Sequence, residues 1–184
     1  VRPHAMATLS DKIAQKSAHV VVVGIGYVGL PLVAELARSG FRVTGLDYDR
    51  EKVRLLNAGE SYIQDVPTAD LAPHVKARRL AATADPAILA EADAVIVCVP
   101  TPLNKTKDPD MRFIVAATDE IVKHQHPGML IVLESTTYPG TTREVMQPRL
   151  EAQGLKVGRD VFLAFSPERV DPGNPKFHTR NTPK

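Results

Sequence analysis

Four stretches of the chain place apolar residues one after another without polar alternation: His19–Gly24 (HVVVVG), Asp93–Pro100 (DAVIVCVP), Met129–Thr136 (MLIVLEST) and Asp160–Ser166 (DVFLAFS). A strand with one wet face alternates apolar with polar residues. Unbroken runs of this length instead predict strands buried on both faces, as in a parallel sheet covered by helices. Phe41–Asp47 (FRVTGLD) and the short Leu80–Thr83 add two more predicted strands, the second and third in chain order, which makes six. Between the strands the period lengthens. Leu30, Val33, Ala34 and Ala37 recur at helical spacing and stop at Gly40, a natural C-terminal cap. Arg50–Ala58 stops in the same way at Gly59, and Arg112–His124 and Thr141–Gln153 follow the fourth and fifth strands. Strand and helix alternate throughout, so the predicted class is α/β, a doubly wound parallel sheet with helices on both faces. Residues 1–18 read as a loose leader or short helix, 19–166 as the folded domain, and 167–184 as a loop tail leading towards further domains.

Composition narrows the function classes. At 184 residues, with 43% hydrophobic and 24% charged positions, the chain has the make-up of one soluble globular domain. A formal charge of +2 with acids and bases interspersed makes no basic stripe, and Trp is absent, so nucleic acid is not an expected partner. No apolar run approaches the roughly 20 residues of a membrane span, and the N-terminal VRPHAMATLSDKIAQKS lacks the apolar centre of a secretory signal. The expectation is a cytoplasmic protein without a membrane partner. A single cysteine, Cys98, excludes an internal disulfide and fits a reducing compartment. No metal site is expected: His124 and His126, two apart, point in different directions on a helix and read as solvated. Lys105 and Lys107 in NKTKDPD read as a solvated loop. The chain opens on Val1 and stops at NTPK with no closing element, from which a part of a longer protein is expected.

The chemistry begins at GIGYVG, Gly24 to Gly29, which matches G-x-G-x-x-G directly after the first predicted strand and directly before a helix. In a Rossmann-like unit Gly24 permits the tight turn, Gly26 lets the backbone approach a pyrophosphate, and Gly29 lets helix and strand pack closely. The helix N-terminus then presents N–H groups and a partial positive charge to the phosphates. Asp47 ends the second strand about 20 residues on, where a carboxylate can accept both hydroxyls of a ribose. That carboxylate would repel the 2′-phosphate of NADP, so NAD is the expected cofactor, although Arg50 and Lys52 lie nearby. Alone, a glycine-rich turn with a surface aspartate would show the same letters; the strand–loop–helix context separates the two.

Ligands of open α/β sheets bind outside the carboxyl ends of the strands. Three further strand exits therefore count. The fourth strand leaves through Val99-Pro100-Thr101-Pro102, the fifth through Glu134-Ser135-Thr136-Thr137-Tyr138-Pro139-Gly140-Thr141-Thr142, and the sixth through Ser166-Pro167-Glu168. Any one of these could be helix capping by Ser or Thr. Together on one edge they predict a site.

GIGYVGLP, GLDYDREKV with LNAGES, VPTP, ESTTYPGTT and SPERVDPGN, in this order, resemble the N-terminal half of the UDP-glucose/GDP-mannose dehydrogenase family over roughly Val20 to Lys184. The resemblance implies an NAD-dependent enzyme that takes the C6 hydroxymethyl of a nucleotide sugar to a carboxylate in two hydride transfers. A cysteine thiolate captures the aldehyde as a thiohemiacetal, and water hydrolyses the resulting thioester. It implies a cofactor site of Gly24, Gly26, Tyr27, Val28, Gly29, Asp47, Lys52, Thr101 and Thr136. Thr136 resembles the threonine that orders the catalytic water, and Glu168 the general base acting on it. The residues after Glu168 would touch the sugar. PERVDPGN looks like the branch acting on UDP-N-acetylhexosamines, UDP-N-acetylglucosamine above all, with Arg169 as a donor to the substrate; a surface pair between Arg169 and Asp171 is the other reading.

Gln64 in SYIQDV stands where many relatives carry glutamate. The family's nucleophilic cysteine, its lysine and its asparagine are expected beyond Lys184, so that these 184 residues alone would bind NAD without turning over. Cys98, inside VIVCV, reads as a small hydrophobe instead. The resemblance also implies a homo-oligomer in the full-length protein. UDP-glucose, UDP-N-acetylmannosamine and GDP-mannose remain alternative substrates. A β-hydroxyacid dehydrogenase would share the glycine loop but leaves PERVDPGN without an account, and a non-catalytic NAD-binding module is the non-enzyme alternative.

Overall fold

The computed structural model describes residues 8–102, 109–169, 179 and 181–182. Six strands form one sheet: β1 (His19–Val23), β2 (Arg42–Leu46), β3 (Leu80–Thr83), β4 (Ala94–Val97), β5 (Leu130–Leu133) and β6 (Phe162–Phe165). Their spatial order is β3-β2-β1-β4-β5-β6, and every neighbouring pair runs parallel. The chain winds outward from β1 to β3, then returns to lay β4 on the other side of β1. At that reversal the loops leave β1 and β4 in opposite directions and open a crevice at the carboxyl edge.

The helices are α1 (Leu9–Ala14), α2 (Gly29–Arg38), α3 (Arg50–Asn57), α4 (Thr68–Lys76), α5 (Arg112–His124) and α6 (Gln147–Glu151). Strand β1 is buried along its whole length and feeds both layers. Val20 and Val22 pack with Leu30, Val33 and Ala37 of α2 and Leu56 of α3. Val21 and Val23 pack on the opposite face with Ile114 and Ile121 of α5 and Leu150 of α6. Burying each of these Val, Leu and Ile side chains contributes about 1.5–3 kcal/mol. The predicted doubly wound α/β architecture is the observed one. Within the leader, Thr8 and Asp11 form a reciprocal cap on α1. Lys12 Nζ then ties this helix to Asp93 Oδ1 at 2.5 Å, and the other oxygen of Asp93 accepts the His19 N–H at 2.8 Å.

Several details depart from the sequence reading. The last strand is not buried on both faces: Phe162 and Phe165 are 40% and 50% exposed, and β6 is an edge strand with no described strand paired on its outer side. The helix expected over Thr141–Gln153 opens as a π-turn, Thr142–Met146, before α6. Pro148 has no N–H to offer the Glu144 carbonyl, and the Gln147 N–H reaches back to the Thr142 carbonyl, widening the turn. Helix α4 was not predicted, nor was the 3-10 segment Pro86–Glu91. His126 is not simply solvated: its Nε2 lies 3.0 Å from the Ala92 carbonyl oxygen, bridging the starts of β4 and β5. Lys105, Lys107 and the stretch from Val170 to Asn174 lie outside the described residues. Among the described residues no helix is long and apolar enough to cross a membrane, and no group of three or more His, Cys, Asp or Glu could hold a metal ion.

Candidate functional site

A cleft of about 640 Å³ opens at the carboxyl edge of the sheet, at the β1–β4 reversal. Its floor is the glycine loop between β1 and α2. Gly24 has a φ of 89°, and a Cβ there would stand 2.7 Å from the Cys98 carbonyl oxygen, so the turn admits no side chain. A Cβ on Gly29 would stand 1.8 Å from the Gly24 carbonyl oxygen, which shows how closely α2 is drawn onto the loop. Gly26 differs from both. It borders the cleft, yet a Cβ there would meet no atom within 4 Å. Protein packing does not demand a glycine at this position; the space beside it suits a group from outside the chain. Helix α2 begins at Val28 without any side chain capping its N–H groups, which leaves its positive end facing that space.

Asp47 stands on the next strand exit. Its Oδ2 accepts the Ile25 N–H at 3.0 Å and lies 3.5 Å from Lys52 Nζ, while its Oδ1 accepts the Asp49 N–H at 2.9 Å. Asp49 in turn caps α3 through the N–H groups of Glu51 and Lys52. The carboxylate is therefore held rigidly, with side-chain exposure of only 14%, its remaining lone pairs turned to the cleft. On the far wall Ser135, buried, donates its hydroxyl to the Val99 carbonyl at 2.7 Å and so clamps the exits of β4 and β5 together. Thr101 and the exposed Thr136 project from those two exits into the same cavity. Further along, Thr137 and Thr141 share a hydroxyl–hydroxyl bond of 2.7 Å that closes the turn before the π-segment.

Of the sequence-predicted residues, Gly24, Gly26, Tyr27, Val28, Asp47, Lys52, Thr101 and Thr136 all border this one cleft. Gly29 lies beneath it as the packing glycine. Glu168 and Arg169 do not border it. They follow β6, whose exit is fixed by the Ser166 N–H donating to the Leu133 carbonyl at 2.9 Å, beside the exit that carries Thr136. Glu168 is half-buried there and Arg169 exposed. Cys98 is 7% exposed and packed in the apolar cluster beneath α2.

The sequence reading missed the other end of the cleft. Leu89, Tyr48, Phe113, Ala116 and Glu120 line it, making an apolar slot with one carboxylate, itself paired with Lys123 at 2.7 Å. Tyr48 and Phe113 are 68% and 43% exposed, two aromatics at the rim of a cavity that only the folded chain brings together.

A glycine loop abutting an uncapped helix start, with an acidic strand exit beside it at the sheet's reversal point, defines a dinucleotide-binding α/β domain. The particular family follows from comparison: the sequence model of the UDP-glucose/GDP-mannose dehydrogenase family, NAD binding domain, matches residues 18–184, and the chain belongs to that family. It is 36% identical over 170 residues to the UDP-N-acetyl-D-glucosamine 6-dehydrogenase of Pseudomonas aeruginosa, covering 92% of this chain and 39% of that protein. It is 34% identical over 169 residues to a UDP-N-acetyl-D-mannosamine dehydrogenase of Methanococcus aeolicus, covering 89% of this chain and 37% of that protein. Among solved structures, the NDP-N-acetyl-D-galactosaminuronic acid dehydrogenase of Methanosarcina mazei Go1 superposes with a TM-score of 0.80 at 33% identity, over 92% of this chain and 38% of that one. The chain thus spans about two-fifths of the length of the curated relatives it matches.

Proposed function

We propose that this chain is the NAD-binding part of a nucleotide-sugar 6-dehydrogenase that oxidises the C6 hydroxymethyl of a UDP-N-acetylhexosamine to the carboxylate, with UDP-N-acetylglucosamine as the preferred sugar. The observation that carries the reading is the convergence of eight motif residues on one cleft, with Gly26 open to a ligand rather than to the protein. NAD, when bound, accepts the hydride; this chain's own groups bind and orient it. The α2 N-terminus and the backbone at Gly26 hold the pyrophosphate. Asp47 accepts the ribose hydroxyls and disfavours a 2′-phosphate, a preference that Lys52 weakens only partly because its ammonium is drawn towards Asp47 itself. The slot of Tyr48, Phe113 and Ala116 suits a flat base.

At the other end Thr136 and Glu168 occupy neighbouring strand exits. Thr136 orders the water and Glu168 takes its proton, while Arg169 reaches the sugar. The relatives' names support an N-acetylhexosamine, and the PERVDPGN segment supports N-acetylglucosamine. We read the intact protein as a cytoplasmic homo-oligomer with no nucleic-acid or membrane partner. Its domain at residues 19–166 is continued beyond 167–184 by the parts that carry the cysteine nucleophile.

The test is the initial rate of NAD reduction by the intact protein with UDP-N-acetylglucosamine, UDP-N-acetylmannosamine, UDP-glucose and GDP-mannose. The expected result is the highest kcat/KM with UDP-N-acetylglucosamine. A preference for UDP-glucose would overturn the role given to Arg169, and no reduction with any of them would overturn the activity.

A further inference from the structure

The connection from α3 to α4 reaches back to the glycine loop. Tyr62, 37 residues beyond Ile25, donates its hydroxyl to the Ile25 carbonyl at 2.6 Å. The N–H of the same Ile25 donates to Asp47 Oδ2 at 3.0 Å. Its side chain is fully buried against Gly45, where a Cβ would stand 2.6 Å from the Ile25 Cγ2. One residue of the loop is thus held at its N–H, at its carbonyl and at its side chain.

We propose that Tyr62 is a positioning residue for the dinucleotide site, acting through the Ile25 carbonyl to aim the Gly26 N–H at the phosphates. The reasoning is geometric. A trans peptide unit carries its C=O and its N–H on opposite sides, and the described residues contain no cis peptide bond. The Tyr62 ring packs against the apolar cluster beneath α2, so its hydroxyl draws the Ile25 carbonyl inward. The Gly26 N–H in the same peptide unit then points outward, to the cleft that Gly26 borders.

Two supports make the latch stiff. Asn57 exchanges two hydrogen bonds with the Ala82 backbone, of 2.9 and 2.8 Å, fixing the end of α3 to β3. Ser61, next to Tyr62, donates its hydroxyl to the Ile63 carbonyl at 3.0 Å, and its N–H donates to the Thr68 hydroxyl at 3.1 Å. Burial, and then the carboxylates of Asp47 and Asp49, push the Tyr62 phenol well above its ordinary range, so it remains a donor at every working pH. A loop set in this way before the ligand arrives loses less freedom on binding.

The inference rests on the reading of the cleft as an NAD site. It is tested by titrating the intact protein and its Tyr62→Phe variant with NAD and with adenosine, which lacks the phosphates. The phenylalanine keeps the buried ring and removes only the hydroxyl. The Kd for NAD is expected to rise about five- to tenfold while the Kd for adenosine stays the same. Comparing the two ligands cancels any loss of folded fraction, which would weaken both equally. If the NAD-to-adenosine ratio is the same in variant and wild type, the role of Tyr62 is overturned and the NAD site stands. Wild-type protein that binds no NAD overturns the reading of the cleft and the inference with it.

Discussion

Asp47 holds two backbone N–H groups from one carboxylate, and the division between its oxygens sets what a substitution does. Oδ2 holds the Ile25 N–H of the glycine loop, and Oδ1 holds the start of α3 through the Asp49 N–H. Asp47→Ala therefore removes the acceptor for the ribose and loosens the loop beneath the pyrophosphate. The NAD Kd is expected to rise by about 30-fold or more in calorimetric titration, with NADP losing less because the repulsion of its 2′-phosphate also disappears. The glycines offer a sharper contrast. Gly26→Ala places a methyl where no protein atom lies within 4 Å, so thermal stability stays as it was while NAD affinity falls by more than about tenfold. Gly29→Ala drives a methyl into the Gly24 carbonyl and destabilises by about 3 kcal/mol, read as a fall in the denaturation midpoint. Both letters belong to one contiguous motif, which is why the sequence alone placed them. Tyr62 escaped because its partner, Ile25, lies 37 residues away, and Tyr48, Phe113 and Glu120 because only the folded chain brings β2's exit and α5 to one cleft, so that no local pattern marks them.

At the scale of the element, β1 was legible because four valines in a row have few other homes, and α2 and α5 because their apolar faces keep helical spacing. Helix α4 was not, since Pro73 lies inside it and reads as a breaker, while only Leu71 is buried. The same strand β1 carries a polar exception at its start. His19 is 4% exposed, with Nδ1 3.2 Å from the Glu91 carbonyl oxygen and Nε2 2.9 Å from the Thr44 hydroxyl. A neutral ring satisfies both, donating from Nδ1 and accepting at Nε2. Burial first, and then the nearby Arg42 guanidinium, hold its pKa below the ordinary 6.5, against the opposing pull of Glu91 and Asp93. The unfolded chain thus binds a proton more readily than the folded one, and the stability His19 contributes is full above pH 6.5 and lost as pH falls from there through the lowered folded pKa. Urea midpoints of the wild type should fall over that window more steeply than those of His19→Gln. Equal slopes would mean that the ring does not titrate on unfolding.

The whole molecule separates two tasks along one sheet edge. The cofactor cleft is built within the chain, from the exits of β1, β2, β4 and β5, whereas Glu168 stands past the last strand and outside that cleft. Strand β6 is also the exposed edge, with Phe162 and Phe165 on view, so the acid sits at the margin where the chain leaves its own core. If Glu168 is the base of the hydrolytic step, its loss must act on turnover and not on the cofactor. Glu168→Gln in the intact protein is expected to lower kcat by about 10²- to 10⁴-fold, with the NAD Kd unchanged. Thr136→Val, altering a residue that borders the cleft, should change both if its hydroxyl also orders the attacking water. A fall in NAD affinity on Glu168→Gln would place that carboxylate inside the dinucleotide site and dissolve the division. An unchanged kcat would leave the proton of the attacking water to a different group. The two variants together therefore decide whether the exits of β5 and β6 form one catalytic pair at the end of the cofactor cleft.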